Sequence, residues 1–279
     1  MLNPRYDETA QFLRQRGFDR ATAGLILGTG FGRFVDHLTV DALLPYPQIP
    51  HFPVSTVPDH AGNLVCGRLQ GLRLLIMQGR FHRYEGYPPS AVTFPVGVMH
   101  RLGITTLIVT NAAGGLNPGF VPGDLMVVDD HLVLMGGSAL TGLEDEVPRS
   151  IPSYSRRLND MAFALAAADR MPLRRGVLAW MLGPAFETPA EIAMLGRAGA
   201  DAVTMSTIPE VAMASALGMQ VMGISCIANM CVGADRPPVT HEDVMATVGR
   251  AVDRFSDLMR RMLPMVCGQP PQKGDRFSG

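Results

Sequence analysis

Residues 63–86 read NLVCGRLQGLRLLIMQGRFHRYEG. Two apolar runs, Asn63–Leu69 and Leu72–Gln78, flank Gln70-Gly71, and runs so separated predict a hairpin. The second run passes through Gly79 into a turn that holds Arg80, His82, Tyr84 and Glu85, so a strand delivers polar side chains to a sheet edge. Every other chemical-looking group of the chain repeats this arrangement. Thr29 follows Leu25-Ile26-Leu27, Asn111 follows Leu107-Ile108-Val109, Glu187 follows a segment ending in MLGPAF, and Asn229 follows GISCI. Ligands of open α/β sheets bind beyond such strand ends, so these arrivals predict one shared pocket. Its residue types suit an anion and an aromatic base together.

Outward from the hairpin, alternating strands and helices predict one α/β domain over 1–266, with no internal repeat and no Gly/Ser linker. The expected helices are Tyr6–Arg16, Ser90–Leu102, Tyr154–Ala168, Pro189–Gly196, Ile208–Leu217 and His241–Met265; Phe31 onward is a further helical start. Thr188 and Thr240 read as N-caps. The expected strands beyond the hairpin are Ala23–Leu27, Thr106–Thr110, Leu125–Val128, Gly176–Leu182, Ala202–Thr204 and Gln220–Ile227. Pro45–Pro58 reads as a proline-rich loop, 130–153 as irregular, and the Pro/Gly-rich residues 267–279 as a disordered tail.

The 279 residues are 47% hydrophobic with mean hydropathy +0.16, enough for a sizeable core. A net charge of −1 provides no field for nucleic acid or an anionic membrane. The N-terminus has no apolar signal region, and no apolar run nears the roughly 20 residues that span a bilayer. Cys66, Cys226, Cys231 and Cys267 show no C-x-x-C pairing, which fits reduced thiols in the cytoplasm. Lys273 is the only lysine and lies in the tail, which disfavours Schiff-base, P-loop and kinase chemistry and leaves anion binding to arginine.

Arg80 and His82 read as an oxyanion site, with Glu85 either orienting His82 or solvated. Thr29, Ser206 and the Ala112 backbone N–H add donors; His60, in a Gly-bounded loop, is equally a structural residue. Phe186-Glu187 joins a flat apolar face to an acceptor, which fits a heteroaromatic ring bearing an N–H or else a core Phe beside a solvated Glu. Asn229 can donate and accept at once, or simply cap a turn. GTGFGR at 28–33 lacks the third glycine of a dinucleotide fingerprint, H-E-x-x-H and His/Cys pairs are missing, so no metal is expected, and G-x-S-x-G is missing too.

The stretches HAG (60–62), QGRFHRYEGY (78–87), TNAAGGLNPGF (110–120), GPAFETPAE (183–191), GADAVTMSTIPE (199–210) and SCIAN (225–229) resemble the trimeric purine nucleoside phosphorylases, in order from about residue 20 to 260. The resemblance implies a single-domain phosphorylase/hydrolase-like α/β fold with a central mixed β-sheet flanked by helices, and a homotrimer. It implies phosphorolysis of purine nucleosides to free base and ribose 1-phosphate in purine salvage, with inorganic phosphate as co-substrate and no cofactor. Carried over by position, Thr29, His60, Arg80, His82, Ala112 and Ser206 would bind phosphate. Tyr84, Met205 and His241 would meet the ribose, Phe186, Glu187 and Asn229 the base, and Asn229, Glu187 and His82 would be catalytic. A base with N1–H can donate to an ionised Glu187 and one with a bare N1 cannot, so inosine and guanosine are expected over adenosine.

Four features depart from the family pattern. Thr29 stands at a usual Ser and looks like the related methylthioadenosine phosphorylases, which are the alternative within this chemistry. Thr204 replaces the usual Gly, the segment between Asn229 and His241 is short, and Ile151-Pro152 stands where a neighbouring subunit lends a Phe. A purine-binding module without turnover is the alternative from another class.

Overall fold

The computed structural model describes residues 3–57, 60–134, 138–143, 153–232 and 240–268. The hairpin forms as read. Strands β3 (Asn63–Leu69) and β4 (Leu72–Gln78) pair antiparallel from Asn63 opposite Gln78 to Leu69 opposite Leu72. Strand β1 (Ala23–Leu27) lies parallel to β4 on one side and to β5 (Thr106–Gly115) on the other. The edge beyond β3 is β2 (Thr39–Pro45), an exposed strand that the sequence did not reveal.

Alternate residues of these strands feed two separate cores. Ile26, Leu75, Met77 and Val109 join Tyr6, Val96 and Val211 on one face, packed under α1 (Pro4–Arg14), α2 (Pro89–Arg101) and α5 (Ile208–Ala216). Leu25, Leu27, Ile76 and Ile108 face the other way, against α3 (Arg156–Ala168) and α6 (His241–Cys267). A strand covered on both faces must be apolar at every position, which is why these runs show no polar alternation.

Beyond β5 the sheet closes on itself. Strand β9 (Gln220–Met230) runs parallel to β5, β6 (Leu125–Val133) antiparallel to β9, and β7 (Arg174–Trp180) parallel to β6. The short β8 (Ala202–Thr204) then joins β7 back to the C-terminal end of β5, where Gly114 faces Val203. The mixed α/β fold is as expected, whereas this ring of strands is not legible in one dimension. Three segments differ from their sequence reading for local reasons. Strand β6 runs on past Val128 to Val133, into the stretch read as irregular, because Asp130–Val133 remain laddered to β7. NAAGG at 111–115 continues β5 rather than turning, because its small residues are still laddered to β9. Phe31–His37 is a 3-10 helix, entered through Gly30 in the left-handed region.

Helix α4 (Pro189–Arg197) starts at a Thr188–Glu191 capping box and α6 at a Thr240–Asp243 box, so both threonines cap as read. Residues 144–152, including Ile151-Pro152, lie outside the described residues, as do Asp59, the segment 233–239 and the tail from 269. Among the described residues no helix is long and apolar enough to cross a membrane.

One glycine sets the spacing between β1 and β5. A Cβ on Gly28 would lie 2.6 Å from the Thr110 carbonyl oxygen and 3.0 Å from the Asn111 Cα, and both obstacles are backbone. The Gly28 N–H meets Thr110 Oγ1 at 3.2 Å, so the strand ends are drawn together while the missing side chain permits it. Gly28→Ala is therefore expected to destabilise by about 1–3 kcal/mol, the usual cost of overpacking, and to displace Thr29. Urea midpoints of the two proteins measure the first effect.

Candidate active site

Arg80 leaves β4 and is buried, with 1% of its surface exposed. Its Nε donates to Glu210 Oε1 at 3.0 Å, and its Nη1 reaches the Thr110 carbonyl, Ser206 Oγ and Thr207 Oγ1 at 2.9, 2.9 and 3.0 Å. Its Nη2 has no hydrogen-bond partner among the described residues. A buried guanidinium with one nitrogen unspent fits an oxyanion at that nitrogen.

The oxygens that hold Arg80 come from a strained turn. Thr207 has φ 77° and ψ −49°, and Ile208 N donates back to the Ser206 carbonyl at 2.9 Å. This is a γ-turn of the rarer hand, in a region that a β-branched residue seldom enters. Its sequence, Thr207-Ile208-Pro209-Glu210, has the form of a capping box, yet no side-chain cap forms. Both ends of that box, Thr207 and Glu210, are turned onto Arg80 instead. The sequence reading missed Glu210 and Thr207, since the capping pattern has a local explanation that hides the distant one, and Thr110, which reads only as the end of a buried strand.

His82 is set by Glu85, whose Oε1 accepts from the His82 backbone N–H at 2.7 Å and sits 2.9 Å from Nδ1. The other carboxylate oxygen accepts from Thr56 N and Oγ1 at 2.8 and 2.6 Å. Burial pushes the Glu85 carboxyl up, but these bonds from His82 and Thr56 outweigh it and hold the pKa down at about 2. Glu85 therefore orients His82, with Nδ1–H as the donor and Nε2 left for a ligand. Tyr84 stacks on His82 at 4.6 Å between ring centroids.

The base-side candidates arrive on β9 and on the segment after β7. Ala113 pairs with Ile227 but Gly114 pairs with Asn229, so Ala228 is an extra residue on β9. Such a bulge re-aims the next side chain, and here it brings Asn229 to the cleft. Glu187 is half-buried; burial raises its pKa above the ordinary carboxylate value, its own backbone N–H opposes, and Glu191 adds to the rise. Phe186 is 65% exposed at the rim, so it is no core residue. Gly183 lies between Met205 and Tyr84, since a Cβ there would meet Met205 Sδ at 2.4 Å and Tyr84 Cδ1 at 3.1 Å.

These groups line one cleft. Its volume is about 830 Å³, and its walls include Thr29, Arg80, His82, Ala112 and Ser206 together with Tyr84, Phe186, Glu187, Met205, Asn229 and His241. Glu85, Thr56, Thr204 and Cys231 are further wall residues. The structure brings together every sequence-derived site residue except His60. That residue lines a neighbouring cavity of about 580 Å³ with Arg33 and Arg250, and reaches the cleft residues through its ring, stacked on His82 at 5.2 Å and bonded at Nδ1 to the Arg80 backbone.

Residues 22–264 match the model of the phosphorylase superfamily. The chain is 49% identical over 254 residues to purine nucleoside phosphorylase 1 of Geobacillus stearothermophilus, covering 89% of this chain and 93% of that one. It belongs to the purine nucleoside phosphorylase family. The Mus musculus purine nucleoside phosphorylase is 40% identical over 275 residues, 93% of this chain and 95% of its own. The Schistosoma mansoni purine nucleoside phosphorylase, solved in complex with adenosine, superposes with TM-score 0.86 at 34% identity, over 94% of this chain and 97% of that one. A Schistosoma purine nucleoside phosphorylase in complex with guanosine gives 0.84 at 34% identity, over 94% and 96% of the two chains.

His60 is buried against the Arg80 backbone, with Nδ1 3.0 Å from the Arg80 carbonyl and 3.1 Å from its N–H. Its pKa is lowered from 6.5 to about 4, chiefly by burial and next by the neighbouring His82, while the backbone bond to Arg80 opposes the fall. The unfolded chain thus takes a proton first as pH falls, and stability drops between the unfolded value of 6.5 and the folded value of about 4. The expected loss is about 3 kcal/mol over that window. Urea unfolding at pH 7 and at pH 4 should show this component in the wild type and its absence in His60→Asn.

Proposed function

We propose that this cleft carries out phosphorolysis of 6-oxopurine nucleosides, inosine, guanosine and their deoxy forms, to free base and (deoxy)ribose 1-phosphate in purine salvage. The carrying observation is that Arg80 and Glu187 line the same cavity, whose size suits a small-molecule site holding a nucleoside beside an anion. Phosphate would sit among Arg80, His82, Ser206, Thr29 and the Ala112 backbone. The ribose would lie against Tyr84, Met205 and His241, and the base between Phe186, Glu187 and Asn229. His60 would support the phosphate side through His82. The relatives' names and the guanosine held by the Schistosoma enzyme support this reading.

In the reaction a phosphate oxygen forms a bond to C1′ as the C1′–N9 bond breaks, and the bonding pair leaves with the purine. Phosphate itself is the nucleophile and brings a charge of about −1.5 to −2 to a cationic C1′. A nucleophilic carboxylate of the glycosidase kind is then unnecessary. The residues' work is to align the reactants and to stabilise negative charge on the departing base. A donor such as the Asn229 amide strengthens as that charge grows, so it favours the transition state over the ground state.

The same reading includes no metal or cofactor, a homotrimer in which a neighbouring subunit closes the ribose side, and a cytoplasmic location.

Substrate choice follows from Glu187. A carboxylate accepts N1–H of hypoxanthine or guanine and repels the N1 lone pair of adenine. In a panel of nucleosides with and without phosphate, inosine and guanosine should release base only with phosphate, and with kcat/KM about 10⁴ above adenosine. Equal or better turnover of adenosine would overturn this specificity, and the adenosine-bound Schistosoma relative makes that comparison the decisive one.

The acid limb gives a second test. Because the Glu187 pKa is raised, protonation above the ordinary carboxylate range should cost inosine kcat/KM on the acid side. Glu187→Gln should flatten that limb and lower inosine kcat/KM by about 10–100-fold, the worth of a charge-assisted hydrogen bond. A steep limb unchanged in Glu187→Gln would assign it to another group.

A further inference from the structure

Cys231 touches Asn229 at a place where the backbone has been cleared for it. Asn229 Nδ2 donates to Cys231 Sγ at 3.6 Å, within the longer reach of sulfur. A Cβ on Gly114 would lie 2.3 Å from that sulfur, and 3.9 Å from Asn229 Nδ2. Gly114 is also the register partner of Asn229 across the β5–β9 ladder, immediately after the bulge at Ala228. The Cys231 backbone is fixed in turn, its N–H donating to the Gly115 carbonyl at 2.8 Å. The thiol therefore lies between an apolar cluster that includes Met181, Leu195 and Val203 and the base side of the cleft.

We infer that Cys231 is a positioning residue that restrains the Asn229 amide and thereby helps select 6-oxo over 6-amino purines. This inference rests on the proposed function of the same cleft. An amide carries its acceptor at one end and its donors at the other, and the two ends have nearly the same shape. What separates them is the partner each one meets. With one N–H held by sulfur, the amino end of Asn229 is anchored, and its second N–H and its carbonyl are presented in a fixed sense. An amide free to rotate about its last torsion can turn its carbonyl to where an N–H stood. A carbonyl there accepts from a 6-amino group and repels a 6-oxo group, so loss of the anchor relaxes base choice rather than lowering all rates alike.

The test compares Cys231→Ala, which removes the acceptor, with Cys231→Ser, which keeps a polar atom that can accept from the amide. Each variant and the wild type are assayed on inosine and adenosine with phosphate, and titrated with hypoxanthine and adenine by calorimetry. Cys231→Ala should narrow the inosine-to-adenosine kcat/KM ratio by about tenfold, with a parallel narrowing in the two base affinities. Cys231→Ser should recover most of the wild-type ratio. If Cys231→Ala lowers both substrates by one factor, or if Cys231→Ser behaves as Cys231→Ala does, Cys231 is only a packing residue and the inference is overturned. Wild-type protein that binds neither base would overturn the proposed function along with it, whereas intact wild-type selectivity with an unchanged Cys231→Ala ratio overturns the inference alone.

Discussion

A guanidinium almost wholly withdrawn from water is the most demanding group in this molecule. Taking such an ion into the interior costs several kcal/mol unless charge and hydrogen bonds replace its hydration. Arg80 obtains that replacement from β5 through Thr110, from the β8–α5 turn through Ser206 and Thr207, and from α5 through Glu210. Those partners lie 30 to 130 residues away in the chain, so the arginine can be satisfied only when the sheet has formed and α5 has docked. Thr207 is held at φ 77° under the same constraint. A backbone strained by about 1–3 kcal/mol persists where its surroundings over-determine it, and here an ion would lose a partner if the turn relaxed.

The opposite end of the cleft is built by omission. Gly114 lacks the side chain that would displace Cys231, and Gly183 lacks the one that would separate Met205 from Tyr84. An added residue in β9 then turns Asn229 into the space so made. Bulge and glycines act together, since a regular ladder would place Ala228 opposite Gly114. The ring of strands supplies rigidity on this side, with β8 short enough to bridge β7 to β5 and leave Met205 and Ser206 projecting beyond it.

How much of this the sequence reveals depends on the range of the interaction responsible. The hairpin at Gln70-Gly71 and the caps at Thr188 and Thr240 are set by neighbours within a few residues, and they read correctly. The strand ends that converge on the cleft are legible as apolar runs emptying into polar turns, because burial on both faces leaves that mark. Strand β2 is not legible, since an exposed edge strand carries no burial pattern. The extension of β5 through Asn111–Gly115 is hidden too, because small residues chosen for a close ladder look the same as those chosen for a turn. Glu210 is the instructive case: its spacing from Thr207 has a sufficient local meaning, and only the distant Arg80 overrides it.

The pairing of Arg80 with Glu210 also decides where catalytic work can be done. An arginine beside a buried carboxylate at 3.0 Å is largely neutralised before any ligand arrives. In the proposed reaction the phosphate then meets one spare guanidinium nitrogen, a histidine fixed by Glu85 and a serine hydroxyl. Such an assembly gives directed hydrogen bonds without a large unbalanced charge, so it can place the nucleophile without holding the sugar phosphate too tightly to leave. Interactions equally strong before and during bond breaking do not speed the chemical step. Acceleration must therefore come chiefly from the other end, where negative charge appears only as the glycosidic bond opens, and there the restrained amide of Asn229 is the donor that can respond to it.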